Sequence, residues 1–206
     1  MCNLIWSKDD HSNILISRNM VTMNCENNVQ FIPSAMTQNR DTYSLYLVKH
    51  YFVEGINQCG LFANIKLINY NKNKSSNKLL YVESTKHSYI KKIGLTRYVL
   101  ECCSDVKEAK IEIELFKKEC EFLKENIEIE YFLADRYENI FTSSNYESKS
   151  MKESKSKYSL TFNLSNKSLS IYYDGNLNNC KELVLSEEIQ GIGYFFKMRP
   201  FQSVNI

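Results

Sequence analysis

Hydrophobic and polar positions in the first third of the chain alternate in short runs that predict β-strands. An apolar segment, Cys2–Trp6, is followed by a polar turn over Lys8–Asn13 and by a β-branched segment over Ile14–Arg18, which together are typical of a hairpin. Three more segments rich in aromatic or β-branched residues are predicted as strands: Val29–Ile32, Tyr43–Val53 and Leu61–Ile68.

The middle of the chain changes to the spacing of helices. Apolar residues across Tyr89–Cys103 recur at helical intervals, although Gly94 weakens this helix. A stronger helix is predicted to begin after Asp105, which has the spacing of a capping box with Glu108, and to end near Asn126.

The last third returns to the alternation of strands. Ile127–Ala134 is predicted as a strand, and Ser143–Ser159 is a Ser/Lys/Glu-rich segment that we interpret as a solvated, flexible loop. The clearest hairpin of the chain follows, formed by Tyr158–Leu164 and Leu169–Tyr173. Two further short strands are predicted after it, at Leu183–Leu185 and Gly191–Lys197. Strands, then helices, then strands predict one α+β layered domain over residues 1–206, with a flexible loop at 143–158.

Composition narrows the possible partners. The 206 residues are 43% hydrophobic and 24% charged, which is ordinary for a globular domain, and the net charge is +2. Because this charge is small, we expect no nucleic-acid partner and no membrane partner. The start of the chain has no basic segment followed by a long apolar run, so we expect a cytoplasmic protein.

Cysteine usage gives no sign of a metal site. Seven cysteines is an odd number, and no CxxC pair occurs, so no metal and no cofactor are expected. We interpret six of them as reduced, buried small hydrophobes. His11, His50 and His87 are scattered, and we expect them to be structural or exposed. The seven cysteines are Cys2, Cys25, Cys59, Cys102, Cys103, Cys120 and Cys180.

Cys2 is the first candidate for chemistry. If Met1 is removed, Cys2 carries a thiol and a free α-amine, and an amine with a pKa of about 8 can accept the proton of the thiol. This arrangement predicts nucleophilic attack on an acyl carbon. The alternative is that a cysteine follows Met1 by chance and packs as a small hydrophobe, and position alone favours that alternative.

Arg18 is the second candidate. It shares its strand parity with Ile14 and Ile16, which predicts that it faces inward, where an unpaired charge is costly. Placement beside a thiolate would account for it, since a nearby cation lowers the pKa of a thiol. The alternative is that Arg18 simply ends its strand in solvent.

An ordered series of short motifs resembles the choloylglycine hydrolase family, which includes conjugated bile salt hydrolases and penicillin V acylases. The series begins with Met1–Asn3, Ile16–Met20 and Phe31–Pro33, and continues with Glu54–Leu61, Tyr98–Leu100, Ser104–Ala109, Tyr131–Asp135, Leu169–Tyr173 and Lys181–Leu185. Each motif is weak alone, but their order is fairly specific. The resemblance implies an N-terminal-nucleophile hydrolase fold, with two antiparallel sheets between layers of helices (αββα), in which Cys2 and Arg18 are catalytic.

The chain departs from the family pattern at three places. Val21 stands where the family has an aspartate, and Leu67 stands where a gapless alignment expects an asparagine, although Asn64 and Asn69 are nearby. The central block of the family, with a second asparagine and arginine, is replaced by Ser143–Ser159. The chain therefore resembles a truncated family member.

Two functions stay open from the sequence. The resemblance implies a cysteine hydrolase of linear amide C–N bonds, acting on a small N-acyl amide such as a conjugated bile salt or penicillin V, with impaired turnover. The alternative is a catalytically inactive relative that serves as a scaffold or interaction protein, or a non-functional remnant. Because a missing block would leave a sheet face or edge uncovered, we also expect self-association.

Overall fold

The computed structural model describes residues 4–20, 28–32, 42–46, 52–68, 85–123, 127–143, 158–173, 176–184 and 195–197. The strands are β1 (Leu4–Lys8), β2 (Ile14–Met20), β3 (Asn28–Ile32), β4 (Thr42–Tyr46), β5 (Phe52–Asn57), β6 (Leu61–Ile68), β7 (Glu128–Asp135), β8 (Ile140–Thr142), β9 (Tyr158–Asn163), β10 (Ser168–Tyr173), β11 (Asn176–Val184) and β12 (Phe195–Lys197). The helices are α1 (Thr85–Ile93), α2 (Leu95–Cys102) and α3 (Val106–Phe122). The predicted loop over Asn69–Lys78 and all but the ends of the loop at 143–158 lie outside the described residues.

The strands form two antiparallel sheets. The five-stranded sheet has the order β1-β2-β9-β10-β11, and the seven-stranded sheet has the order β12-β3-β4-β5-β6-β7-β8. The predicted hairpins β1–β2 and β9–β10 are both present and become neighbours, because β2 pairs with β9. The five-stranded sheet thus combines the first two strands of the chain with β9, β10 and β11 from its last third.

The core between the sheets follows from strand alternation. Residues of one parity on each strand face the opposite sheet, and this buried cluster is centred on Phe62, Phe132 and Phe162. The register Arg18↔Leu160 and Ile16↔Phe162 puts β2 and β9 residues of the same parity on this face. Leu4 of β1, at the edge of the five-stranded sheet, also packs against this inner cluster.

The three helices cover the other face of the seven-stranded sheet. Residues of the second parity on β6 and β7, including Ala63 and Leu133, pack against Val99, Phe116 and their helical neighbours. The predicted cap of α3 is confirmed, because Asp105 accepts a hydrogen bond from the Glu108 backbone N–H at 2.9 Å. The Glu108 carboxylate in turn accepts from the backbone N–H of Ser104.

Asn57 ties this helix layer to the sheet. Its buried carboxamide donates to the carbonyl oxygens of Leu100 and Cys103, at 2.9 and 2.7 Å, and accepts from the backbone N–H groups of Cys59 and Leu61. The carbonyl groups at the end of a helix have no partner within that helix. Asn57 supplies the partners for α2, and at the same time it shapes the turn between β5 and β6.

Four predictions of individual elements were wrong in part. The run Tyr43–Val53 is not one strand, because β4 and β5 occupy its two ends and pair antiparallel. The single helix over Tyr89–Cys103 is two helices, because Gly94 has a positive φ of 88° that ends α1. α3 ends at Phe122 rather than near Asn126, and β8 and the longer β11 were not anticipated.

The outer face of the five-stranded sheet carries hydroxyl groups. Ser17, Thr161 and Ser170 form one row across β2, β9 and β10, and the Ser17 and Thr161 hydroxyls lie 3.0 Å apart. None of the described helices packs there; all three contribute to the cluster on the seven-stranded sheet. A polar face of this kind can remain in water, as one face of an antiparallel sheet commonly does.

Candidate active site

Arg18 lies on the inner face of the sandwich, as the parity of β2 predicts. Its side chain is buried, with the whole residue 6% exposed, next to Ile16 and Ile14 along the same strand. Leu4 on β1 and Leu160 on β9 are its register partners, so apolar residues flank it on both sides within the sheet. The alternative that Arg18 ends its strand in solvent is wrong.

Glu54 of β5 is the ion-pair partner of Arg18 across the sandwich. Its carboxylate Oε2 accepts from the Nη1 of Arg18, and Glu54 is 0% exposed. Isolated charges are expensive to bury, whereas a guanidinium and a carboxylate in contact compensate each other. The pair explains why the sandwich tolerates an arginine among its core residues.

Asn64 completes this buried polar cluster. It is the register partner of Glu54 on β6, and its Nδ2 donates to Glu54 Oε2 at 2.7 Å. One carboxylate oxygen therefore holds both Arg18 and Asn64. Within the described part of the chain, Arg18 Nε and Glu54 Oε1 are buried atoms without a hydrogen-bond partner. The cluster thus retains one unused donor and one unused acceptor.

Strand parity separates Asn64 from Leu67. Leu67 has the parity of Ala63 and Ile65 and packs against the helix-layer cluster, on the face of the sheet away from Arg18. Asn64 has the parity of Phe62 and lies on the Arg18 face. The structure therefore brings together Arg18 and Asn64, through Glu54, and leaves Leu67 apart.

Cys2 and Val21 lie outside the described residues, so the predicted contact of Cys2 with Arg18 stays a prediction. Glu54 and Asn64 were not selected from the sequence as members of the site. The sequence did contain a clue to Glu54. A buried arginine needs a carboxylate partner, and Glu54 shares the strand parity of the buried Ile56. The pairing itself joins residues 36 positions apart on different sheets, which local patterns do not reveal.

A second polar cluster lies within the helix layer. Tyr89 donates to Glu101 at 2.7 Å and Arg97 pairs with Glu101 at 2.6 Å. Burial, followed by this hydrogen bond, raises the pKa of Tyr89 to about 12. Tyr98 donates to Glu112, and burial raises its pKa as well. These groups connect α1, α2 and α3.

The five described cysteines differ in exposure. Cys103 and Cys120 are buried and Cys59 and Cys102 are half-buried, but Cys180 is exposed, so the interpretation as a buried hydrophobe was wrong for Cys180. Cys180 lies on β11, an edge strand of the five-stranded sheet, where alternate side chains point away from the core. Burial raises the pKa of the Cys102 thiol, which makes it a poor nucleophile.

Two further searches bear on the site class. Across the described ranges, no three His, Cys, Asp or Glu residues come together in a way that could hold a metal ion. None of the helices in those ranges combines the length and apolar character that crossing a bilayer requires. His11 is exposed, as expected, whereas His50 lies outside the described residues.

Comparison with known proteins identifies the fold. No family model and no curated protein sequence matches the chain. Among solved structures, penicillin V acylase from Agrobacterium tumefaciens superposes with a TM-score of 0.59 at 10% sequence identity, covering 97% of this chain and 92% of that chain. The mutant C2A conjugated bile acid hydrolase from Clostridium perfringens gives a TM-score of 0.58 at 10% identity, covering 97% of this chain and 97% of that chain.

The chain therefore has the fold of an N-terminal-nucleophile amidohydrolase, and the resemblance to the choloylglycine hydrolase family is confirmed at the level of fold. The predicted α+β class with antiparallel sheets and helices is also confirmed. At 10% identity, this likeness is evidence of fold alone.

Proposed function

We propose that the chain is a cysteine N-terminal-nucleophile hydrolase that cleaves a linear amide C–N bond, with low turnover. The substrate class is a small N-acyl amine, such as a conjugated bile salt or penicillin V. The observation that carries the proposal is the buried Arg18, paired with Glu54, on the inner face of this fold directly opposite Leu4.

Chain geometry supports a role for Cys2 beside Arg18. Leu4 and Arg18 are direct partners in the β1–β2 register, and such partners have Cα atoms about 4.5–5.5 Å apart. Two residues of chain span at most about 7 Å, so covalent connection alone keeps Cys2 near the Arg18 end of β2. A thiol at the start of the chain is therefore within reach of the guanidinium.

The proposed reaction has two steps. The Cys2 sulfur attacks the amide carbonyl carbon while the α-amine of Cys2 takes the thiol proton. The C–N bond breaks, the leaving amine takes up that proton, and a thioester remains on Cys2. Water then hydrolyses the thioester and releases the acid. Arg18 would favour the thiolate through its positive charge, since a nearby cation lowers the pKa of a thiol.

The second candidate function is an inactive relative that binds a partner or serves as a scaffold. It is favoured by Leu67, whose side chain has no hydrogen-bond donor and packs among the helices. A family member lacking an asparagine there lacks one oxyanion donor, and the loss of one donor typically costs about 10²–10³ in rate. For this reason we expect slow hydrolysis in the first candidate.

Intact mass and substrate hydrolysis test the proposal. Purified protein is expected to have lost Met1 and to hydrolyse glycine-conjugated bile salt or penicillin V slowly, with Cys2→Ala abolishing the activity. The matched control is Cys180→Ala, which changes an exposed cysteine and is expected to retain full activity. Retained Met1 together with an absence of hydrolysis would favour the inactive relative. Hydrolysis that survives Cys2→Ala would reject Cys2 as the nucleophile.

A further inference from the structure

The charge of Arg18 is already compensated before any thiolate forms. The guanidinium contacts the Glu54 carboxylate, and both groups are shielded from water. We propose that Glu54 is the positioning residue of the candidate site, which fixes Arg18 and limits how strongly its positive charge acts on the Cys2 thiol. This inference rests on the proposed function only in taking Cys2 as the nucleophile.

Glu54 fixes Arg18 through contacts from two strands. Asn64 of β6 donates to the same Oε2 atom that holds the guanidinium, so Glu54 cannot turn away from Arg18 without losing both bonds. Asn64 belongs to a central strand paired on both sides, with β5 and with β7. The arginine is thereby tied to two interior strands of the seven-stranded sheet, β5 and β6.

Within the described strands, few other charged groups lie near the Arg18–Glu54 pair. Among these strands, the register partners of Arg18 are Leu4 and Leu160, and those of Glu54 are Leu45 and Asn64. None of these four residues titrates. The titratable residues at neighbouring register positions are Tyr43 on β4, Tyr158 on β9 and Lys181 on β11. Lys181 lies three strands from Arg18, about 14 Å away at the usual strand spacing. Among the described residues, Glu54 is thus the dominant negative charge beside Arg18.

The two unused atoms of the pair match the chemistry of an N-terminal cysteine. Among described groups, Arg18 Nε–H has no acceptor and Glu54 Oε1 has no donor, and both are buried. A thiolate accepts a hydrogen bond and an α-ammonium donates one, so Cys2 without Met1 carries both complements on one residue. Glu54 would then orient the amine while Arg18 orients the sulfur.

The experiment is a pH titration of Cys2 alkylation in Glu54→Gln, followed by mass spectrometry of the N-terminal peptide. Removing a negative charge near a thiol stabilises the thiolate, so the midpoint of alkylation is expected to fall by about one pH unit relative to the unchanged protein. A residue that only stabilises the fold would not move this midpoint. Circular dichroism reports whether the variant is folded.

Two controls separate the local effect from a general one. Glu101→Gln makes the same change of charge at a buried carboxylate paired with Arg97 in the helix layer, and is expected to leave the Cys2 midpoint unchanged. The peptide with the exposed Cys180, measured in the same samples, serves as an internal reference. If Glu54→Gln does not fold, Glu54→Asp keeps the charge but withdraws it by one methylene, and a smaller fall is expected.

A folded Glu54 variant with an unchanged Cys2 midpoint would overturn the inference. Because the titration needs no turnover, its result is independent of the hydrolysis assay. A shifted midpoint in a protein without hydrolysis would keep the role of Glu54 and reject the proposed activity. Hydrolysis with an unchanged midpoint would keep the proposed activity and reject the role of Glu54.

Discussion

At the scale of single residues, the Arg18–Glu54 pair places two charges inside the sandwich core. It replaces apolar contacts in a layer otherwise built from residues such as Ile16, Phe62 and Leu160. A buried ion pair gains little over a well-packed apolar pair, but removing one partner leaves the other charge buried and uncompensated. The pair is therefore expected to couple strongly in mutational tests.

Urea unfolding of a double-mutant cycle measures this coupling. Arg18→Met and Glu54→Leu are each expected to lower the free energy of unfolding by about 3–5 kcal/mol, whereas the double variant recovers most of that loss. The exposed pair Lys8–Glu138, with Nζ and Oε2 2.5 Å apart, is the control, and Glu138→Ala should cost less than about 1 kcal/mol. Additive losses in the buried cycle would show that the two charges do not compensate each other.

At the scale of elements, the sequence predicted what is encoded locally. Alternation on β2 gave the inward direction of Arg18, and Asp105 with Glu108 gave the start of α3. The break between β4 and β5 was missed because the segment between them has no Gly, Pro or Asn to mark a turn. Gly94 was seen as a weakness in one helix, but its positive φ belongs to a turn between two helices that both contribute to the helix-layer cluster.

Partners across the sandwich could not be predicted in the same way. Arg18 and Glu54 lie on different sheets, and which carboxylate meets the arginine depends on how the sheets stack rather than on any spacing in the sequence. The same holds for the choice of Asn64 over Leu67. Parity gives the face of a residue, whereas its neighbour on the opposite sheet requires the assembled fold.

The helix layer carries a prediction for alkaline pH. In the unfolded chain a tyrosine loses its proton near pH 10, whereas Tyr89 in the folded protein does so near pH 12. Unfolding therefore releases a proton between these values, and stability is expected to fall as the pH rises from 10 to 12. Urea midpoints at pH 9 and pH 11 should differ less in Tyr89→Phe than in the unchanged protein.

The control for this titration is Tyr137→Phe, since Tyr137 is an exposed tyrosine. Its urea midpoints should fall with pH as they do in the unchanged protein. Some alkaline loss should persist in Tyr89→Phe, because burial also raises the pKa of Tyr98. Identical pH dependence in Tyr89→Phe and the unchanged protein would exclude Tyr89 as a source.

At the scale of the whole molecule, the described residues leave an outer sheet face and strand edges uncovered. The described outer face of the five-stranded sheet is rich in Ser and Thr, so it offers little apolar area for association. β1 is an edge of that sheet among the described strands, and its Trp6 is 42% exposed. Edge strands with exposed apolar residues invite pairing with another chain.

We therefore expect self-association to use the β1 edge. Size-exclusion chromatography with light scattering should show species larger than the 24.2 kDa chain, and Trp6→Lys should shift them toward the monomer. Phe122→Lys, which changes an exposed aromatic residue at the end of α3 in the helix layer, is the control. A stable monomer of the unchanged protein would contradict the expectation.

The pairing of β2 with β9 also implies a delay during translation, because the two strands are synthesised at different times. The Ser17 and Thr161 hydroxyls that meet across these strands are 144 positions apart. At about 5–20 residues per second, a ribosome needs roughly 7–30 s between making one strand and making the other. Throughout that interval the N-terminal hairpin has no neighbour to pair with, so an aminopeptidase can reach Met1 before the sandwich closes around Arg18.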